Sequence, residues 1–193
     1  YWLKSEPRGD VVLEVLDAKG AVIRKLTSRK AEPETPKDDP DPGWDDAERK
    51  PLPKGAGLRR AFWDLRHEGA TKITGAKVDS GDPGEGPLAL PGAYTLRLGV
   101  DGQSLTTPVE VRLDPRVTVS PADLEEQLAF ALALRQDLVR LAGIVHDLRS
   151  VREQVKARAA ALRGVTAAAP LVAAADALAG RCDALEERLH NPK

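Results

Sequence analysis

The chain has 193 residues, of which 41% are hydrophobic and 31% charged, a balance typical of a protein that folds around one or two apolar cores. Its 29 basic and 30 acidic residues leave a net charge of −1, so it lacks the broad positive field that non-specific nucleic-acid binding requires. The single cysteine, Cys182, excludes an internal disulfide and a multi-thiolate zinc site. The sequence has no apolar run of about 18 residues, so we expect no membrane span.

Residues 1–117 alternate short β-type runs with turns rich in Gly, Pro and Asp. Asp17-Ala18-Lys19-Gly20 and Asp101-Gly102 are tight-turn sequences, and each predicts a hairpin. Six or seven short strands of this kind are typical of a β-sandwich. The predicted strands are 1–4, 10–17, 21–26, 58–66, 93–100, 104–107 and 109–113.

Two segments interrupt the strand pattern. Residues 28–57 are dense in Pro, Asp and Lys, and residues 68–91 are dense in Gly, Asp and Pro. Each is longer than an ordinary connection between strands. We therefore expect two long loops that are mobile or docked against a neighbour.

Residues 118–193 are rich in the helix formers Ala, Leu and Arg. Ser120 suits an N-cap, Pro121 the first helical position and Asp123 the capping-box position, and Gly164 suits a helix end. Apolar residues at spacings of three and four predict helices over 120–163 and 170–189, paired as an antiparallel hairpin. The predicted apolar stripes are Leu124, Leu128, Leu138, Leu141, Val145, Leu148, Val151, Val155, Ala159 and Leu162, then Leu171, Ala175, Leu178, Cys182, Leu185 and Leu189.

The two predicted helices differ in length. At 1.5 Å per residue the first spans about 66 Å and the second about 30 Å, so the second covers the first only from about Gly143 onward. We expect the sandwich, a missing third helix or another chain to cover the remainder. The chain also begins at Tyr1 and contains no Met, so we expect a fragment. The residues left to be covered are Leu124, Leu128, Phe130, Leu132, Leu134 and Leu138.

No catalytic, cofactor-binding or metal-ligating residue is predicted. His67, His146 and His190 are scattered, and the segment after His67 lacks the second histidine of a zinc-peptidase helix. The Gly81–Gly86 segment lacks the spacing and the Lys-Ser/Thr of a phosphate-binding loop, so we interpret it as a flexible turn. Cys182 lies on an apolar stripe, where a buried structural role is expected.

One group of acidic residues leaves an alternative open. Asp38, Asp39, Asp41, Asp45 and Asp46 lie in the segment 38–46, and the spacing of their oxygen ligands would let several of them approach a calcium ion, but it is not that of an EF-hand and the EF-hand glutamate is missing. A solvated acidic loop is the favoured interpretation, and calcium binding is the alternative.

The aromatic residues leave a second alternative. Phe62 and Trp63 should lie on opposite faces of a strand, so we expect Trp63 to be structural, with Asp64 and Arg66 pairing locally. Trp2, Trp44 and Phe62 remain candidates for a carbohydrate-binding platform.

The order of several motifs resembles a known family. Tyr1-Trp2-Leu3-Lys4 and the hairpin that follows resemble the opening of fibronectin type III and hook-capping Ig-like modules. Together with Trp63-Asp64-Leu65-Arg66, Pro91-Gly92-Ala93-Tyr94-Thr95-Leu96-Arg97-Leu98 and Leu113-Asp114-Pro115-Arg116, the order is similar to the C-terminal region of bacterial sortilin-like, BNR-repeat β-propeller proteins labelled glycosyl hydrolases. The resemblance covers nearly the whole chain. It implies a propeller ahead of Tyr1, further helix after Lys193 and a periplasmic or extracellular location.

The predicted fold class is α+β in two segregated parts, an all-β Ig/fibronectin III-like sandwich over 1–117 and a long helical hairpin over 118–193. The predicted function is a non-catalytic accessory, scaffold and interaction module. Its expected partners are the parent β-propeller and the missing C-terminal helix, and protein, glycan or a second copy are further candidates. A carbohydrate-binding module of a glycoside hydrolase is the alternative, and an independent enzyme is a third hypothesis.

Overall fold

The computed structural model describes residues 1–29 and 51–190. Over these ranges the chain forms antiparallel β-sheets followed by two helices, and it is therefore an α+β protein. The strands are β1 (Trp2–Leu3), β2 (Val12–Leu16), β3 (Val22–Thr27), β4 (Gly57–Leu58), β5 (Arg66–Glu68), β6 (Glu85–Leu88), β7 (Gly92–Val100) and β8 (Gln103–Val111), and the helices are α1 (Pro121–Leu162) and α2 (Ala169–Leu189).

The chain divides into two compact units. The first comprises Tyr1–Gly69 and Glu85–Ala133, and the second comprises Ala70–Gly84 and Leu134–Lys193. The segment Ala70–Gly84, which falls within the predicted loop 68–91, thus groups with helical residues and not with the strands that flank it in sequence.

A four-stranded antiparallel sheet in the order β3-β2-β7-β8 is the centre of the first unit. Both of its predicted tight turns are present. Asp101 and Gly102 have φ values of 47° and 79°, as the turn between β7 and β8 requires, and Gly20 has φ 82° between β2 and β3. The Asp17 carboxylate accepts hydrogen bonds from the backbone N–H groups of Lys19 and Ala21, which fixes the β2–β3 turn.

A second layer packs on one face of this sheet. The pair β1–β4 and the chain after it contribute Leu3 and Ala61 to a cluster around the fully buried Val11, together with Leu52. Trp63 packs on a second cluster, formed by Val15, Ile23 and Tyr94. These two clusters are the cores described in the first unit.

The predicted strand 58–66 was wrong over its central part. β4 ends at Leu58, and the chain is irregular until β5 begins at Arg66. The backbone of Leu65 has φ 58°, and the Asp64 carboxylate accepts a hydrogen bond from the N–H of Arg66 at 3.1 Å. This local side-chain turn competes with the ladder hydrogen bonds of a strand.

The predicted loop 68–91 was also wrong in part, because Glu85–Leu88 forms β6 and pairs with β5. A Cβ atom at Gly86 would lie 2.0 Å from the carbonyl oxygen of His67, so this glycine allows the two strands to approach. The adjoining Asp82 pairs with Lys72 at 2.9 Å and accepts from the N–H of Gly84 at 2.8 Å. The Gly81–Gly86 segment therefore contains the predicted turn, and its last two residues begin β6.

The helices begin and end where their sequence signals predict. Ser120 Oγ accepts from the N–H of Asp123 at 3.2 Å, as an N-cap does, and Gly164 has φ 103° just after α1. Ion pairs join Arg163 to Asp176 and Arg152 to Asp183, so residue numbers rise along α1 as they fall along α2. The hairpin is antiparallel.

The predicted apolar stripes were wrong at three positions. Val151, Leu171 and Leu185 are exposed, whereas Ala142, Ala179 and Glu186 are buried. On α2 the buried face follows Ala179, Cys182 and Glu186, which are three and four residues apart. The buried face therefore shares Cys182 with the predicted stripe but includes Ala179 and Glu186, and Leu185 is exposed. Glu186 forms ion pairs with Arg149 and Arg152 of α1.

Candidate functional sites

An open apolar groove of about 590 Å³ lies on the first unit, between the inner face of the sheet and the chain after β4. Leu13 on β2 and Leu96 and Leu98 on β7 form its floor because alternate residues of a strand face the same side. Leu105 on the edge strand β8 forms one wall and is 75% exposed. The remaining lining residues are Tyr1, Leu58, Arg59, Arg60, Ala61 and Thr107.

The charged residues that line the groove are both cationic. Arg59 donates from Nε to the carbonyl of Gly55 at 2.9 Å and from Nη2 to that of Ala56 at 2.6 Å, so its guanidinium holds the local backbone. Arg60 is exposed, and its guanidinium carbon lies 5.9 Å from the centre of the Phe62 ring. Arg60 is therefore the cation that remains accessible to a bound molecule.

Two tyrosines of this unit are held by backbone carbonyls. The Tyr1 hydroxyl donates to the carbonyl of Pro53, and burial raises the pKa of Tyr1 while Arg59 lowers it. The Tyr94 hydroxyl donates to the carbonyl of Leu90 at 2.7 Å, and burial raises its pKa, with the Asp17 charge adding to the effect. Both phenols therefore stay protonated at neutral pH.

Phe62 and Trp63 take opposite environments, as predicted. Trp63 packs edge-on against Tyr94 with ring centres 5.4 Å apart, and its Nε1 donates to the carbonyl of Arg66 at 2.9 Å. Phe62 is 70% exposed. The structural role of Trp63 is confirmed, and Phe62 and Trp2 are left on the surface.

The predicted local pairing of Asp64 with Arg66 was wrong for the guanidinium. Asp64 forms its ion pair with Arg24 at 3.4 Å, whereas Arg66 pairs with Glu85 at 2.5 Å. Only the backbone N–H of Arg66 reaches Asp64. The turn at Leu65 separates the two side chains, so each finds a partner on another element.

The second unit contains a buried carboxylate that the sequence interpretation missed. Glu186 on α2 is 6% exposed and accepts from Arg149 at 2.8 Å and from Arg152 at 3.0 Å, both on α1. His190 lies 3.2 Å from the same carboxylate, and Arg149 also donates to the carbonyl of Thr74 at 2.7 Å. This Glu186 cluster joins both helices to the segment Ala70–Gly84.

The environment of Glu186 favours its charged form. The hydrogen bond from Arg149 lowers the pKa of Glu186 more than burial raises it, and His190 and the charge of Arg152 lower it further. The hydrogen bond to Asp183 in turn raises the pKa of Arg152. These hydrogen bonds all join groups of the second unit, so the Glu186 cluster has a structural role in holding that unit together.

The sequence contained a signal for this cluster. Arg149 and Arg152 follow the buried Val145 by four and seven residues, and Glu186 follows Cys182 by four. Charged residues of opposite sign thus occur on the facing stripes of both helices, a pattern that predicts an ion pair between them.

The three histidines do not come together in one site. His67 is in β5, His146 is exposed on α1, and His190 follows the end of α2. Cys182 is buried on α2, where the sequence placed it. Within residues 1–29 and 51–190, no three His, Cys, Asp or Glu side chains form a group that suits a metal ion. The Asp-rich segment 38–46 and Trp44 lie outside the described residues.

No protein-family model, curated protein or solved structure matches the chain. Over the described ranges, neither α1 nor α2 has the continuous apolar length that crossing a bilayer needs.

Proposed function

We propose that the chain is a non-catalytic accessory and interaction module of a larger exported β-propeller protein. Its β-sheets would form an Ig/fibronectin III-like sandwich, and its helices would dock on the parent propeller, on a further C-terminal helix or on a second copy. The proposal is motivated by the motif order of the sequence and by the apolar surface of α1.

The exposed apolar residues of α1 carry the proposal. Phe130 is 72% exposed and Leu134 is 53% exposed, and they lie four residues apart on one side of the helix. Large apolar side chains that are close together on a surface favour a protein contact. An interaction module needs such a surface, whereas a self-contained domain gains nothing from it.

The lengths of the two helices support the same interpretation. α1 has 42 residues and α2 has 21, which correspond to about 63 Å and about 32 Å. The ion pairs described between them involve Arg149, Arg152 and Lys156 of α1, and Arg163, just after α1, pairs with Asp176 of α2. The α1 residues before Ala142 thus lie beyond the ion-paired part of the hairpin and provide a surface for a partner.

The first test of the proposed parent β-propeller is to determine the sequence that is encoded upstream of Tyr1. Repeated Asp-box-like segments there would support a parent β-propeller, and an unrelated sequence would overturn it. If the repeats are present, the upstream region is co-expressed with the chain and recovered through a tag on the chain. We expect co-purification of the propeller, its loss when Phe130→Glu and Leu134→Glu are combined, and its retention with Leu171→Glu, an equally exposed position on α2.

A carbohydrate-binding module remains the second candidate because Phe62 and Trp2 are exposed. Aromatic rings on a surface bind the apolar faces of sugar rings. Binding on a glycan array that is lost with Phe62→Ala or Trp2→Ala would favour this function over the scaffold. Trp44→Ala tests the third candidate aromatic residue on the same array. An array without binding would remove this alternative.

A further inference from the structure

The groove on the first unit has the dimensions of a ligand site. Its volume of about 590 Å³ falls inside the range of about 300–1,000 Å³ that small-molecule sites occupy. Leucines from three of the four main strands line it, together with Tyr1 and Ala61. An apolar chain that enters it would exchange water for these side chains.

The charge at the groove selects the polar end of such a ligand. Among the described residues that line it, Arg59 and Arg60 are cationic and no side chain is anionic. Arg59 is occupied by the carbonyls of Gly55 and Ala56, whereas Arg60 is exposed beside Phe62. A guanidinium at the edge of an apolar surface favours a carboxylate over a neutral or cationic head group.

The geometry points to a binding site for an aliphatic carboxylate, with its hydrocarbon chain lying over the paired residues Leu98 and Leu105 and its head group at Arg60. This inference is independent of the proposed scaffold function, because the groove and the exposed face of α1 share no residue. An apolar side chain of a protein partner is the competing occupant, and it would show no preference for an anion.

The test is a titration of the full chain with octanoate, 1-octanol and octylammonium, followed by backbone amide shifts in NMR. We expect octanoate to shift the amides of Leu96, Leu98 and Leu105 and to bind about three- to tenfold more tightly than octanol. Octylammonium should bind most weakly. Equal binding of the three, or shifts confined to other residues, would overturn the assignment.

Two variants separate the head group from the chain. Arg60→Gln should reduce octanoate affinity to that of octanol and leave octanol binding unchanged, while Arg112→Gln, an exposed arginine outside the groove, should change neither. Leu105→Glu should abolish octanoate binding, and Leu88→Glu, exposed on β6, should not. Because these side chains are exposed, all four variants should fold. Octanoate binding that survives Leu105→Glu would place the ligand elsewhere and refute the inference.

Discussion

Arg149 on α1 and Glu186 on α2 form an ion pair in the second unit, in which Arg149 Nη2 lies 2.7 Å from Glu186 Oε1. The carboxylate is buried, and a second arginine, Arg152, reaches its other oxygen. A buried charge is tolerated only when its partners satisfy it, so Glu186 and the two arginines depend on one another.

Removal of the Glu186 carboxylate should destabilise the second unit. Glu186→Ala leaves Arg149 and Arg152 without their shared acceptor, and we expect a loss of about 2 kcal/mol in the free energy of unfolding. Glu187→Ala, an exposed neighbour, should change it by less than about 0.5 kcal/mol. Urea denaturation followed by circular dichroism at 222 nm measures both. Equal effects of the two variants would show that the cluster contributes no net stability.

The same carboxylate should make stability depend on pH. The folded-state pKa of Glu186 lies below its ordinary value of 4.5, so the folded state holds its proton less tightly than the unfolded state. The contribution is therefore complete above about pH 4.5 and is lost as the pH falls through the folded-state pKa.

Glu186→Gln isolates this contribution. The difference in unfolding free energy between the wild type and the variant should shrink as the pH is lowered from 7 to about 3, because protonation makes the wild type resemble the amide. A difference that stays constant over that range would contradict the pKa shift. Glu187→Gln is the control for a general effect of charge.

Trp63 and Phe62 should respond oppositely to truncation. Trp63→Ala removes the contact with Tyr94 and the hydrogen bond to Arg66, and we expect a loss of about 3 kcal/mol. Phe62→Ala removes an exposed ring and should cost less than about 0.5 kcal/mol. Thermal unfolding of the two variants makes the comparison. A larger loss for Phe62→Ala would mean that its ring is covered in solution.

Two glycines should respond with opposite sign to a methyl group. Gly86→Ala brings a Cβ atom against the backbone of His67, so we expect the β5–β6 pair to separate at a cost of about 3 kcal/mol. Gly143 lies inside α1 with open space around it, and Gly143→Ala should stabilise the helix by about 0.5–1 kcal/mol. Stabilisation by both substitutions would contradict the close approach of the two strands.

The helices were more predictable than the second layer of the sheet unit. Ser120 and Gly164 act within a few residues of their own position, so the ends of α1 could be identified from the sequence alone. The turn at Leu65 depends on hydrogen bonds of Asp64 and Trp63 to Arg66, and the strand-type pattern of 58–66 did not reveal it. Both hydrogen bonds span only two or three residues, so a local side-chain turn replaces the strand there.

The candidate sites were less predictable than the fold. Long-range strand pairing brings Leu13 and Leu98 together with Leu105, and no local pattern indicates that their shared face forms a groove. The spacing of apolar residues on α2 passes through Leu185 and leaves Glu186 off the predicted stripe, although Arg149 and Arg152 on α1 are spaced to meet it. The choice between adjacent stripes depends on the partner helix, which one helix considered by itself does not reveal.

Sedimentation equilibrium over a range of concentrations tests the central claim most directly, which is that the exposed face of α1 is a contact surface. We expect the isolated chain to self-associate, the combined Phe130→Glu and Leu134→Glu variant to remain monomeric, and Leu171→Glu to behave as the wild type. A wild-type chain that is monomeric at every concentration and indistinguishable from the double variant would contradict the claim.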